Sequence, residues 1–279
     1  MKSANRIRLF VIDPQNDFMD IEGAALPVPG AHADMTRLAG LMMSIASSIE
    51  EIIVTLDSHA SVGVERTTFW VGLDGIGVPP FTQISATDVE RGIYRPRVAE
   101  RRPQVIAYLK ALESAGERRL IVWPVHCVLG TWGHNLHLAL AQSIAAWEYS
   151  SGRTCEKVLK GLNPMTEQYS AFRAEVPLTD DPRTMNNGPL MTRLARGNEW
   201  LVVAGEALSH CVAASGQDMF SQMSRDRIAR TIFLSDCMSP VTGFESEGHQ
   251  FLEQAKAHGA RVLPSNELVS QLAMGIIQP

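Results

Sequence analysis

Residues 201–212 read Leu-Val-Val-Ala-Gly-Glu-Ala-Leu-Ser-His-Cys-Val. With Trp200 in front, the stretch opens as a short continuous apolar run, the pattern of a strand buried on both faces of a parallel sheet. Gly205 ends the run. Six residues on, Cys211 stands just before Val212-Ala213-Ala214-Ser215, where small and apolar residues take up helical spacing. The cysteine therefore falls between the carboxyl end of a strand and the start of a helix. Open α/β sheets bind ligands in the crevice outside such strand ends. The unpaired N–H groups and dipole of a helix start favour a thiolate over a thiol. An arbitrary cysteine in such a place is a small buried hydrophobe, so its chemistry depends on its neighbours.

The same grammar repeats along the chain. Arg8–Ile12, Glu51–Leu56, Arg119–Trp123, Glu156–Gly161 and Ile228–Leu234 read as further strands, and Arg261–Leu263 as a last edge strand. Between them, Ala33–Ile49, Pro103–Ala115, Ala139–Trp147, Leu190–Arg196, Ala213–Met223 and Gly248–His258 carry helical periodicity. Strand, helix, strand units imply a parallel sheet with right-handed crossovers. The fold class is α/β, a three-layer doubly wound fold with a six-stranded parallel sheet. No repeat or linker divides the 279 residues, so residues 1–279 read as one domain. The segments near 60–103 and 173–188 are irregular excursions from it.

A formal net charge of -5 argues against a nucleic-acid partner, which calls for a basic face. No apolar stretch is long enough for a membrane span, and the start, MKSANRIRLFVID, turns charged too soon for a secretory signal. The four cysteines show no CxxC pairing, which speaks against a zinc ribbon and for reduced thiols in the cytoplasm.

Polar groups collect where these strands end: Asp13; Asp57 with His59; His126; Lys160; and Cys211. Each alone has an ordinary explanation, such as a helix cap before Pro14 for Asp13 or a polar loop position for the histidines. In a parallel sheet, however, all these ends point one way and converge. Asp13, Lys160 and Cys211 supply a carboxylate to take a proton, an ammonium to steady a thiolate, and a thiol to attack. Asp57, His59 and His126 form an oxygen and nitrogen donor set suited to zinc, manganese or ferrous iron.

The chain resembles the nicotinamidase branch of the isochorismatase-like cysteine hydrolases. The matching segments are Val11–Phe18 (VIDPQNDF), Leu26–Ala31 (LPVPGA), Asp57-Ser58-His59 and Trp123–Cys127 (WPVHC). Lys160-Gly161, followed by Tyr169–Phe172 (YSAF), and Gly205–Val212 (GEALSHCV) complete the series. The resemblance implies an Asp13–Lys160–Cys211 triad and a divalent metal ion, zinc first, at Asp57, His59 and His126. It implies an oxyanion hole from the backbone N–H groups of Ala207 and Cys211, with a cis peptide just before Ala207. It places Phe18, Trp123 and Tyr169 as substrate contacts, with core packing the ordinary alternative for the aromatics. The implied reaction converts nicotinamide to nicotinate and ammonia through a thioester, in NAD salvage, with a small-molecule amide as partner and a homo-oligomer as the assembly. Another small amide or carbamoyl compound is the second choice, and a non-catalytic binding protein on the same fold the third. An isochorismatase proper cleaves a vinyl ether and needs no thiol, so Lys160 and Cys211 argue against it. Two departures stand out. Where relatives often carry a further histidine, this chain offers Glu65, which would be a ligand, hold a water, or pair with Arg66. The long excursions would reshape the pocket or build an oligomer interface.

Overall fold

Ile7–Ile12 alternates its side chains between two separate apolar cores. Ile7, Leu9 and Val11 point into one, Phe10 and Ile12 into the other. That period-two split is what a strand in the middle of a three-layer structure requires. Burying each such side chain contributes about 1.5–3 kcal/mol. The computed structural model describes residues 6–116 and 119–277; the first five residues of the opening weighed as a signal lie outside them.

The central sheet holds β1 (Ile7–Ile12), β2 (Ile49–Asp57), β3 (Glu156–Lys160), β4 (Trp200–Gly205), β5 (Thr231–Leu234) and β6 (Arg261–Leu263). Their order is β6-β5-β4-β1-β2-β3, with every pairing parallel. The chain leaves β1 toward β2 and β3, then returns to lay β4 on its other side. The strand order therefore reverses between β1 and β4, and the carboxyl ends there frame the binding crevice of a doubly wound sheet. Helices α1 (Ala31–Ser44), α3 (Leu138–Ser151) and α7 (Ser265–Ala273) cover one face. Helices α4 (Gly188–Ala195), α5 (Ala213–Gln222) and α6 (Glu245–Ala257) cover the other.

The number of sheet strands agrees with the sequence reading, but one member differs. Residues 119–123 do not enter the central sheet. Leu120–Ile121 instead pairs antiparallel with Gln83–Ile84. Leu120 and Val122 bury into a third core, with Trp70, Ile84, Val105 and Leu109. Helix α2 (Arg102–Ser114) packs there as well. An apolar run shows that a strand is buried, not which core it enters. The sixth place in the central sheet goes to Arg261–Leu263 instead. Boundaries also moved: the strand read as Ile228–Leu234 begins at Thr231, with Ile228 in the short helix Arg225–Ala229. Ile45 and Ile49 continue the spacing of α1, yet the helix stops at Ser44 and Ile49 already pairs with Ile7. Helix α7, which the sequence reading left out, brings Leu268 into the first core.

Candidate active site

Strand β1 ends at Asp13, which is fully buried and takes a left-handed φ of 46°. For a residue with a Cβ that conformation costs about 1–2 kcal/mol, a strain often found at functional positions. Thr55, the polar member of an apolar run in β2, fixes the side chain. Its hydroxyl donates to Asp13 Oδ1 (2.6 Å) and accepts from Asp13 N (3.1 Å). Gln15 ties the end of β1 to β2: its Nε2 donates to Asp57 O (2.8 Å), and Asp57 N donates to its Oε1 (2.7 Å).

Lys160 comes from the end of β3, registered opposite Asp57. Its side chain is 1% exposed and its Nζ lies 2.9 Å from Asp13 Oδ2 and 2.9 Å from Asp57 Oδ1. It also donates to Gln168 O (3.0 Å) and reaches Cys211 Sγ at 3.6 Å. Gly161 follows with a φ of 73°; a Cβ there would lie 2.7 Å from His59 Cε1, so only glycine lets the chain pass. Cys211 sits in a π-helical turn, Leu208–Val212, that leads into α5. The Glu206–Ala207 peptide is cis.

Charge balance follows from burial. Desolvation alone would lower Lys160, but Asp13 and Asp57 outweigh it and hold the ammonium well above its usual value. Burial raises Asp13, with Lys160 pulling the other way. Asp57 is held well below the usual carboxylate range: desolvation opposes this, and His59 and Lys160 overcome it. Burial pushes the Cys211 thiol well above the ordinary value despite Lys160, and a hydrogen bond with Asp13 adds to the rise.

Asp57, His59 and His126 bring ligand atoms within 4.8 Å of one another. His59 Nε2 and His126 Nε2 both face Asp57 Oδ2, at 2.8 and 3.4 Å. Burial and the Arg66 guanidinium bring His126 down to about 4. For His59, burial works downward, and the Asp57 carboxylate carries it up to about 9. Two nitrogens and a carboxylate oxygen in a buried pocket fit a divalent transition ion.

His126 does not come from the end of a sheet strand. Its loop is laced to its neighbours instead: His59 N donates to Cys127 O (3.1 Å), Cys127 N to Asp17 Oδ2 (2.7 Å) and Trp123 N to Glu65 O (2.7 Å). Glu65 Oε1 lies 3.2 Å from His59 Nδ1 and accepts from Arg66 Nε (3.0 Å). It thus meets the side of the ring turned away from Asp57.

Phe18, Trp123 and Tyr169 line one pocket with Cys211, Ala207 and His126. Trp123 Nε1 donates to Tyr169 OH at 3.0 Å. Glu167 and His210 escaped the sequence reading, and Arg66 was read only as a partner for Glu65. Arg66, 0% exposed, lies against His126 Nδ1. Glu167 is buried, and desolvation raises its carboxyl to about 7. His210 packs edge-on to Trp123, with ring centroids 5.1 Å apart. Only the position of His210 beside Cys211 was a usable signal.

Sheet order, the crevice at β1 and β4, and the converging strand ends match the fold of solved structures described as isochorismatase-like. Within it, the chain's similarity is to the nicotinamidase branch. It is 24% identical over 257 residues to a nicotinamidase of Saccharomyces cerevisiae, covering 91% of this chain and 98% of that protein. It is 25% identical over 218 residues to a nicotinamidase of Acinetobacter baylyi, covering 78% and 76%. Among solved structures, the Acinetobacter baumanii nicotinamidase/pyrazinamidase superposes with a TM-score of 0.63 at 20% identity, covering 96% of this chain and 100% of that one. Yeast nicotinamidase gives 0.62 at 21%, covering 92% and 99%. Pyrococcus horikoshii pyrazinamidase in complex with zinc gives 0.53 at 19%, covering 93% and 99%. No family model matches the chain. No described helix is long and apolar enough to cross a membrane.

Proposed function

We propose that this protein is a metal-assisted cysteine amidohydrolase that converts nicotinamide to nicotinate and ammonia. One observation carries the reading: Lys160 Nζ touches Asp13, Asp57 and Cys211 at once, so the thiol and the donor cluster share one buried centre. Asp13 takes the thiol proton, and Lys160 steadies the resulting thiolate. The sulfur attacks the amide carbon while the N–H groups of Ala207 and Cys211 accommodate the oxyanion. Asp13 returns its proton to the leaving nitrogen, the C–N bond breaks, and ammonia departs from a thioester. Asp13 then takes a proton from water as the water attacks the thioester, and the thiol and the acid are released.

Asp57, His59 and His126 would hold the ion, zinc by preference with manganese or iron as alternatives, and Glu65 would orient the His59 ring from its far side. Such an ion supplies Lewis acidity toward a ring nitrogen of the substrate. Phe18, Trp123 and Tyr169 would flank the ring. The reading further places the protein in the cytoplasm, in NAD salvage, as a homo-oligomer.

The test is ammonia release from nicotinamide, benzamide and an aliphatic amide under identical conditions. Nicotinamide should be turned over best and benzamide, which lacks the ring nitrogen, much less well. Cys211→Ala should abolish turnover. Equal rates on nicotinamide and benzamide would refute the substrate, and a fully active Cys211→Ala would refute the mechanism.

A further inference from the structure

Glu206 stands directly before Ala207 and has no exposed surface. A glutamate is almost never so buried unless it is paired. Its partners, Ser239 and Asp34, bring no positive charge. Glu206 Oε2 accepts from Ser239 N (3.1 Å), while Oε1 is buried and accepts from no donor among the described residues. The side chain also shares a hydrogen bond with Asp34, in the first turn of α1. Two carboxylates offer acceptors only, so that bond requires a proton on one of them. Asp34 is already engaged as an acceptor: Ser239 Oγ donates to its Oδ2 (2.5 Å), and Arg37 bonds its Oδ1. Burial raises Glu206 well above the ordinary carboxyl value, and Asp34 adds to the rise. Burial raises Asp34 as well, but Ser239 and Arg37 pull it the other way.

This network holds the backbone around Ala207. Glu206 N donates to Ile12 O (2.7 Å) at the end of β1, and Leu208 N to Ser239 O (2.8 Å). Ser239 thus grips the chain on both sides of Ala207, by its N–H through the Glu206 side chain and by its carbonyl through Leu208. Asp34 fixes Ser239 in turn from α1. Ala207 O accepts from His210 N (3.0 Å) and Val212 N (3.2 Å), which ties the turn carrying Cys211 to the same point. Ala207 N donates to no backbone carbonyl among the described residues, which leaves it available to an oxyanion. We propose that Glu206 is a positioning residue: as a neutral acid bridging Ser239 and Asp34, it aims the N–H groups of Ala207 and Cys211 at the oxyanion. The proposal deepens the amidohydrolase reading and rests on it. Packing alone would be served as well by an apolar residue of similar volume.

The test compares Glu206→Gln, Glu206→Leu and Glu206→Asp with wild type on nicotinamide, benzamide and an aliphatic amide. Ammonia release is measured per mole of folded enzyme, well below the Tm of each variant. Gln keeps a donor and an acceptor at the same reach, so kcat and KM should stay within about twofold of wild type. Leu fills the space without polar atoms. Its kcat should fall about tenfold or more with KM within about twofold, because an oxyanion donor acts in the transition state. Asp withdraws the carboxyl by one methylene and should lose kcat in the same way; it decides the matter if the Leu variant does not fold. A purely structural residue would lower Tm and leave the kcat of folded enzyme unchanged, and that result overturns the proposal. So does a Gln variant as slow as the Leu or Asp variant, or a loss confined to KM. If wild type hydrolyses an amide and all three variants match it, the positioning role falls and the amidohydrolase reading stands. If wild type hydrolyses none of the amides, both fall.

Discussion

Lys160→Met tests the centre of the site most directly. The substitution keeps an unbranched side chain of similar length but removes the cation that lies 2.9 Å from each of two buried carboxylates. Removing one partner of a buried charge pair costs about 3–5 kcal/mol, because the remaining charge stays desolvated. Unfolding a chain of 279 residues carries an entropy of about 0.6 kcal/mol/K, so Tm should fall by about 5–9 °C. The loss should also depend on pH. Burial already raises Asp13 while Lys160 restrains it; without Lys160 it rises further. A carboxyl whose folded pKa lies above its unfolded value stabilises the fold most when protonated. The variant should therefore regain stability as pH falls from neutral through the folded pKa of Asp13, toward the ordinary value of 3.8. Adding Asp13→Asn should restore part of the lost stability at pH 7 without restoring activity. Urea and thermal melts of the chelator-treated protein at pH 5 and pH 7, with ammonia release beside them, make the measurement. A variant within about 1 kcal/mol of wild type at pH 7, or one that keeps normal turnover, would refute the shared-cation account.

The acid limb of kcat/KM should lie above the ordinary carboxylate value of 3.8, because burial raises Asp13 and it must be ionised to act as base; a profile flat down to pH 4 would contradict this. His126→Ala should lose stoichiometric metal by elemental analysis while Cys211→Ala retains it; metal retained at wild-type level in His126→Ala would remove that residue from the donor set. Gly205→Ala should destabilise by about 3 kcal/mol in urea melts, since its φ is 122° and a Cβ would lie 2.0 Å from Ile12 O; a neutral result would mean that β1 and β4 can part there.

Local pattern determined a good deal. The apolar runs ending at Asp13, Asp57 and Lys160 are strands of the central sheet, and the residues that terminate them lie where a parallel sheet gathers its ends. Cys211 stands between β4 and α5 as the opening stretch implies. These features were legible because strand period and helix period are properties of neighbouring residues. Pairing is not such a property. Residues 119–123 have as apolar a run as any sheet strand, yet they join a separate core, and Arg261–Leu263 takes the sixth place. His126 reaches Asp57 by backbone bonds to residues far away in the chain. The burial of Cys211 was also beyond local reading: the lysine is visible in sequence, but the desolvation that outweighs it comes from the packing of distant segments around the thiol.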